Sequence, residues 1–297
     1  MKRVLNFGSI NVDHVYTVEH FVRPGETLSC REYRQFAGGK GLNQSIALAQ
    51  AGATVYHVGK VGVADIWLKS LLEKKGVDTS FVETINGPSG HAVIQVNSMG
   101  ENAIVIVGGA NQLMCESEVK RIVADFGPDD YALVQNEVNA VPQIIQSAKA
   151  KGLTIVFNPA PMTPQVLSYP LELVDILVVN ETEARSLTGE IEPAAIYETL
   201  RHLYPHLSIV FTMGHKGATY FSPQVRFHQS AEKVHVVDST GAGDTFIGFF
   251  MAELIKTNDP KAAVAFASRA AALCVTRRGA SDSIPSRKEL EATQQPV

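Results

Sequence analysis

The sequence predicts an α/β protein built on a large, mostly parallel sheet flanked by helices, with a smaller sheet beside it. Three observations carry that expectation. From residue 131 onward, short β-type runs alternate regularly with runs of helical period, as a largely parallel sheet requires. The run 3–10 is short and apolar, the pattern of a buried strand. Two further β-type stretches, 15–36 and 91–107, interrupt the alternation and have the form of a separate small sheet.

The elements follow in order. The run 3–10 ends in Gly8-Ser9 and is followed by Asn11-Val12-Asp13. Polar residues at the C-terminal end of such a strand face a ligand crevice, and a lone Asp there also serves as a turn or cap. Stretch 15–36 is β-type and broken by Arg23-Pro24-Gly25-Glu26. Ala37-Gly38-Gly39-Lys40-Gly41-Leu42-Asn43-Gln44 then leads into a helical run to Ala51. This is not a P-loop, because the upstream Gly and the Ser/Thr after Lys are missing. It is either a plain Gly-rich turn or one whose glycines let Lys40 and Asn43 approach a small polar ligand. Residues 54–61 read as a strand and 66–75 as a helix closed by Gly76, with Asp65 placed to cap it. Runs 91–96 and 103–107 flank Ser98-Met99-Gly100-Glu101-Asn102 as a hairpin, and with 15–36 they offer a lid or a dimer surface. Strands are expected at 131–135, 154–158, 176–180 and 208–212, and Pro142 suits the first turn of a helix running to Lys151. The last helices, 245–255 and 260–276, end near Gly279, and the polar tail 291–297 is expected to fray. No low-complexity tract, linker or repeat interrupts the chain.

Composition narrows the class. The 297 residues fit one large α/β domain or two smaller ones, and 45% hydrophobic with 19% charged residues is ordinary for a protein with a substantial core. A formal net charge of −4 without a basic block argues against nucleic acid or an anionic membrane as the main partner. Cys30, Cys115 and Cys274 are far apart and form no C-x-x-C, which fits a reducing compartment better than a disulfide framework. Without a signal-peptide core or an 18-residue apolar run, the expected location is the cytoplasm.

The stretch Val236-Val237-Asp238-Ser239-Thr240-Gly241-Ala242-Gly243-Asp244-Thr245-Phe246 draws the most chemistry together. It follows a β-type run, 234–237, and precedes the helical run from 245, so it reads as a strand–loop–helix junction. Gly241 and Gly243 lack Cβ atoms, so their N–H groups come close to a ligand, and the N-terminus of a helix favours an anion. Asp244 is a carboxylate in this donor-rich loop, either a helix-entry acid or a base beside a phosphate.

Seven short motifs stand in one order at these positions. They are Gly8-Ser9-Ile10-Asn11-Val12-Asp13, Gly38-Gly39-Lys40-Gly41-Leu42-Asn43-Gln44, Gly100-Glu101-Asn102, Gly109-Ala110-Asn111, Asn158-Pro159-Ala160-Pro161, Asn180-Glu181-Thr182-Glu183 and the run 238–244. Through them the chain resembles the ribokinase-like (PfkB) family of sugar kinases along nearly its whole length. The resemblance implies one doubly wound α/β domain over 1–297 with a β-lid from about 14–37 and 90–108, ATP as donor and a pentose as acceptor. It implies Asp244 as general base, the N–H groups of Gly241, Ala242 and Gly243 as an anion hole, and Asn11, Asp13, Gly39, Lys40, Asn43 and Glu137 around the sugar. Asn180 and Glu183 match an element that helps hold Mg²⁺ and phosphates through water, and their spacing is also that of a capping box. Thr212, Gly214 and Gly217 match a nucleotide-binding strand end, and Ser268 a position on the adenine side. Asp238 and Thr240 match ligands of a monovalent cation, K⁺, with Cys274, Arg277 and Gly279 contributing backbone carbonyls and Ser283 completing the loop. Half-buried alternation in the two lid segments, as in 28–36, needs a partner surface over one face, so a homodimer paired through the lid is expected. One departure stands out: Val61-Gly62-Val63-Ala64-Asp65-Ile66-Trp67 lacks the Asp-Asp and spaced Gly usual after Val-Gly, which bears on the acceptor more than on phosphoryl transfer. Two other readings remain: a nucleoside or other sugar kinase, with Phe36 and Trp67 as a shelf for a base, and a sugar sensor on an inactive kinase fold.

Overall fold

The computed structural model describes residues 2–292. The first half of the chain runs β1 (Arg3–Phe7), β2 (Asn11–Thr17), β3 (Glu32–Gly38), α1 (Lys40–Gln50), β4 (Thr54–Gly62), α2 (Trp67–Lys74), β5 (Asp78–Ile85), β6 (Gly90–Val96), β7 (Asn102–Val107) and α3 (Glu116–Val123). It continues with β8 (Tyr131–Gln135), α4 (Val141–Ala150), β9 (Thr154–Asn158), β10 (Ile176–Asn180), α5 (Glu181–Thr188), α6 (Pro193–Leu203) and β11 (Ser208–Thr212). Last come β12 (Ala218–Phe221), β13 (Arg226–Gln229), α7 (Ala242–Thr257), α8 (Pro260–Cys274) and α9 (Arg287–Ala292). Of the tail expected to fray, Glu291 and Ala292 belong to α9, and 293–297 lie outside the described residues.

Among the described residues the main sheet has nine strands in the order β13-β12-β11-β10-β9-β8-β1-β4-β5. The pairs from β11 to β5 are parallel, and β12 and β13 add an antiparallel edge. Strands β8 and β9 are apolar almost throughout because helices cover both faces. Val4, Leu133, Val156, Val178 and Val210 point into one core with α1, α2, α7 and α8. Their neighbours Leu5, Val134, Phe157, Val179 and Phe211 point into the other, with α3, α4, α5 and α6. The chain leaves β1 toward β4 and β5, then returns to β8 and builds the sheet in the opposite direction. The topology is therefore doubly wound. Its switch point lies between β1 and β8, where the loops part and leave a crevice at the strands' carboxyl ends.

The second sheet has the order β3-β2-β6-β7, with β2 and β6 parallel and the outer pairs antiparallel. Asn11, Val12 and Asp13 thus begin a strand of this sheet rather than trailing one of the main sheet. The half-buried alternation expected within 28–36 is absent, since β3 is exposed from Glu32 through Phe36 and β7 is exposed at every position.

Other expectations are corrected. Residues 234–237 are not a strand; they have no neighbouring strand, and Val237 and Asp238 both donate their N–H to Val275 O, at 2.8 and 3.2 Å. The junction before α7 is loop to helix. Asp65 lies in a 3-10 turn, Val63–Asp65, and no side chain caps α2. Strands β5, β12 and β13 and helices α3 and α6 were not expected from the sequence: β5 is an edge strand of mixed polar and apolar residues, and β12 and β13 have four residues each. One packing detail positions the site. A Cβ on Gly248 of α7 would lie 2.4 Å from Ala47 Cβ of α1, so its absence lets the two helices cross in close contact.

Candidate active site

The N-terminus of α7 opens on Gly241, whose backbone is left-handed at φ 76°, and no side chain caps the helix. An L-residue adopts that conformation at a cost of about 1–2 kcal/mol. The first N–H groups of an α-helix have no partner within it. That of Ala242 reaches Ser239 O at 3.3 Å, and Gly243 has open space where a Cβ would stand. The positive end of a sixteen-residue helix thus meets that space through small residues.

Asp244 stands in the first turn. The close crossing of α1 and α7 brings two amides to its carboxylate, Asn43 Nδ2 to Oδ2 at 3.1 Å and Gln44 Nε2 to Oδ1 at 2.9 Å. Burial pushes the Asp244 pKa up against the opposing pull of Lys40 and the two amides. Lys40, the first residue of α1, has the converse balance: burial lowers its pKa, but the charges of Asp244, Glu137, Glu183 and Asp13 outweigh it and keep the ammonium protonated. One cation therefore stands in the field of four carboxylates.

On the other side of Lys40 lie Asp13 and Glu137. A Cβ on Gly38 would come within 2.2 Å of Asp13 Oδ2, so the bare backbone of β3 makes room for that carboxylate. Burial first, then the neighbouring Glu137 charge, push Asp13 up to about 6, although Lys40 pulls the other way. Glu137 follows β8 across the switch point; its Oε2 accepts from Ser9 Oγ and from Lys40 N at 3.0 Å, and Oε1 is 3.9 Å from Lys40 Nζ. Gly39 is the N-cap of α1. Asn11 is engaged elsewhere: its Oδ1 accepts from Asn111 Nδ2 at 2.7 Å, and Asn111 Oδ1 accepts from Ile10 N at 3.0 Å. Asn111 thus ties the start of β2 to the residue that leads into it. Of the residues expected around a sugar, Asp13, Gly39, Lys40, Asn43, Glu137 and Asp244 come together, with Asn11 behind them.

Asn180 and Glu183 form the capping box their spacing implies. Asn180 Oδ1 accepts from Glu183 N at 2.9 Å, while Asn180 N and Nδ2 donate to Glu183 Oε2 and Oε1 at 3.0 and 2.9 Å. Burial raises the Glu183 pKa. Thr212, at the end of β11, donates weakly to Val179 O at 3.4 Å. Gly214 opens onto free space, whereas the place of a Gly217 Cβ is taken by Gln229 O at 2.1 Å, so the end of β13 already accounts for that glycine. Ser268 is buried in α8, and its Oγ has no partner among the described residues.

The loops expected to hold a monovalent cation do meet. Asp238 Oδ1 accepts from Thr240 N and Oγ1 at 2.9 and 2.7 Å, and Oδ2 accepts from Gly279 N at 3.0 Å. Although burial acts against it, these bonds hold the Asp238 pKa below the ordinary carboxylate value. Cys274 Sγ packs inward on Ser283 Oγ at 3.0 Å, and the Arg277 side chain pairs with Glu289 at 2.8 Å, which leaves only backbone oxygens of these two for an ion. Among the described residues no group of three His, Cys, Asp or Glu side chains is arranged to hold a metal, and no helix is long and apolar enough to cross a membrane.

Sequence reasoning passed over Ser9, Gln44 and Gln135. Ser9 and Gln44 lie inside motifs singled out for their neighbours; Gln135 lies at the end of an apolar strand, where nothing marks it out.

Phosphoryl transfer demands little covalent chemistry of a protein; it needs positioned donors for the migrating charge and a proton acceptor for the attacking hydroxyl. The first turn of α7 places its open N–H groups and the Asp244 carboxylate side by side, and the molecule is a kinase of the α/β class. Residues 1–287 match the pfkB family carbohydrate kinases, and the chain belongs to that family. It is 37% identical to a ribokinase from Haemophilus influenzae, the match covering 97% of each chain. It is 34% identical to a deoxyribokinase from Salmonella typhi over 94% of each. Its fold superposes with a TM-score of 0.89 on Arabidopsis thaliana ribokinase complexed with ribose and ATP, at 31% identity over 100% of this chain and 99% of that one.

Proposed function

We propose that the protein transfers the γ-phosphoryl group of ATP to the 5-hydroxyl of ribose or a close pentose, with Asp244 as general base. The observation that carries this reading is the junction of α1 and α7: Asn43 and Gln44 reach from the first turns of α1, which Lys40 opens, to the carboxylate at the start of α7. One carboxylate therefore faces both the crevice that takes a polyol and the donors that take a phosphoryl group. Asp13, Glu137 and Asn43 offer acceptors and a donor to vicinal hydroxyls; Asn43 Oδ1 is buried without a partner among the described residues, an acceptor a sugar hydroxyl would satisfy. The N–H groups of Gly241, Ala242 and Gly243 stabilise charge on the transferred group, and Asp244 receives the hydroxyl proton. The ribokinase and deoxyribokinase likenesses favour a free pentose as acceptor.

Two ions fit the residues present. Both Glu183 carboxylate oxygens are engaged by Asn180, so the pair fits Mg²⁺ through water rather than by direct ligation. The ion would neutralise the phosphates, while Thr212, Gly214 and Ser268 border the nucleotide. The ionised Asp238 spans the 238–240 loop and Gly279, and with the oxygens of Thr240, Cys274, Arg277, Gly279 and Ser283 it makes the hard donor set a K⁺ ion takes. K⁺ would fix the loop that leads directly into Gly241. The second sheet is the lid, closing over the sugar through the Asp13 face of β2.

The test is ADP release with ribose, 2-deoxyribose, fructose and adenosine, with Mg²⁺, in K⁺ and in Na⁺ at equal ionic strength. The expected result is highest kcat/KM for a free pentose and a higher rate in K⁺. Preference for adenosine would establish a nucleoside kinase, and no turnover of any acceptor a sensor.

A further inference from the structure

Behind Asp244 runs a line of fully buried polar side chains that the sugar, nucleotide and ion sites do not use: Gln44, Gln135, Asn6, Ser45 and His57 are all 0% exposed. Gln44, whose Nε2 donates to Asp244, accepts at Oε1 from Gln135 Nε2 at 2.8 Å. The same Gln135 nitrogen donates to Asn6 Oδ1 at 2.8 Å. Asn6 Nδ2 donates to Ser45 Oγ and to Gly41 O, each at 2.8 Å. Ser45 Oγ lies 2.8 Å from His57 Nδ1, and His57 Nε2 lies 3.1 Å from Gly8 O.

The far end of this line fixes the direction of every bond in it. A carbonyl oxygen only accepts, so the hydrogen of His57 is on Nε2. Burial lowers the His57 pKa to about 4, so at neutral pH the ring carries one hydrogen and Nδ1 accepts from Ser45 O–H. Ser45 Oγ then accepts the Asn6 amide, which turns Asn6 Oδ1 toward Gln135. Gln135 therefore presents its NH₂ to both Asn6 and Gln44, and Gln44 is left with its own NH₂ facing Asp244. Reversing the Gln44 amide alone would set two NH₂ groups against each other and an oxygen against a carboxylate, leaving buried polar groups unpaired. Asn43 has no such backing: its Oδ1 has no partner among the described residues and its Nδ2 is held by Asp244, whereas Gln135, whose Oε1 is also unpartnered, has its NH₂ fixed by both Asn6 and Gln44.

We propose that Gln44 and Gln135 are positioning residues for the base, holding an N–H on Asp244 Oδ1 so that Oδ2 is the oxygen that takes the proton. When the 5-hydroxyl oxygen bonds to the γ-phosphorus and the bond from phosphorus to the ADP oxygen breaks, the hydroxyl proton passes to Oδ2 and ADP leaves with the electron pair of the broken bond. The proposal rests on the kinase reading above. The charged groups around Asp244 are Lys40 on α1, Glu137 after β8 and Glu183 on α5, none of which the substitutions below remove.

Two measurements test it. The first is the pH profile of kcat for the parent protein, Gln44→Met and Gln135→Met. A hydrogen bond to a charged group corresponds to about 10–100-fold in rate, so Gln44→Met should lose about that much kcat. Because the lost donor favours the carboxylate form, the acid limb should move to higher pH. Gln135→Met, which does not touch Asp244, should shift the limb the same way by less, with KM for the pentose unchanged. A Gln135→Met profile superimposable on the parent's would overturn the proposal. The second needs no turnover: long-range ¹H–¹⁵N spectra of the labelled parent protein at pH 7 should show neutral His57 with its hydrogen on Nε2. A hydrogen on Nδ1 would break the line at its origin and overturn the proposal even if the methionine variants failed to fold. A parent protein without kinase activity would refute the functional reading and leave this spectrum to decide the orientation of the line.

Discussion

Asp13 and His57 titrate across overlapping pH ranges with opposite consequences for stability. Asp13 is raised to about 6 from its ordinary 3.8, so the folded protein holds the extra proton between those values. Its contribution is fully present below 3.8 and is lost as pH rises through 6. His57 is lowered from 6.5 to about 4, so there the unfolded chain holds the extra proton and stability falls as pH drops through that window. Each group contributes a slope of at most about 1.4 kcal/mol per pH unit, and between 4 and 6 the two oppose each other. Asp13→Asn removes one side of this balance. The variant should be more stable than the parent in urea unfolding above pH 6, and the gap should close toward pH 4; a gap independent of pH would contradict the buried, charged Asp13. Asp13 was legible in the sequence because it closes a motif at the end of an apolar run. His57 was not, because a histidine in a strand pattern carries no mark of complete burial; that depends on α1 lying across it.

At the scale of the element, the α7 entry separates strain from function. Gly243 has no left-handed backbone and nothing within 4 Å of an added Cβ, so Gly243→Ala should gain up to about 1 kcal/mol of helix propensity. The same methyl group stands before the first-turn amides, and kcat should fall by about 10²-fold or more, as when an oxyanion donor is lost. Gly241→Ala should instead lose about 1–2 kcal/mol for its left-handed φ of 76°, and its Cβ would press on Ala280 at 3.1 Å. Thermal melts with parallel kinetics check both; a Gly243→Ala protein of normal turnover would remove the anion hole from this loop. Sequence reasoning started this helix three residues late because Ala242-Gly243-Asp244 is a poor helical pattern before the apolar run begins. It read 234–237 as a strand from its valines, yet a strand also needs a neighbour, and here the chain passes over the end of α8. The strands β8, β9, β10 and β11 were read to the residue, since burial on both faces leaves an unmistakable apolar run. The edge strands β5 and β13 have no such run, and β12, buried throughout, has only four residues, so all three were passed over.

At the scale of the molecule, the unpaired surface is the small sheet. Cross-strand register places Phe36, Asp13, Ala92 and Ile106 in one row and Arg34, Val15, Ile94 and Ile104 in another on the same face. Phe36, Ile104 and Ile106 on that face are 41%, 51% and 58% exposed, apolar groups beside Asp13 and Arg34. Pairing of two copies through this face should give a dimer in sedimentation velocity at micromolar concentration, and Ile104→Lys with Ile106→Lys should give a monomer. A monomeric parent protein would remove the pairing and leave the lid. The order of the motifs along the chain was enough to read the doubly wound frame, whereas the meeting of Gln44, Gln135 and Asp244 depends on how closely α1 and α7 cross, which no single stretch encodes. The central claim is that Asp244 takes the proton of the pentose hydroxyl, and it is tested most directly by Asp244→Asn, with kcat measured alongside ribose and ATP binding by calorimetry. Loss of the proton acceptor at nearly unchanged shape should lower kcat by about 10²–10⁴-fold while both ligands still bind. Near-normal turnover in that variant would contradict the account.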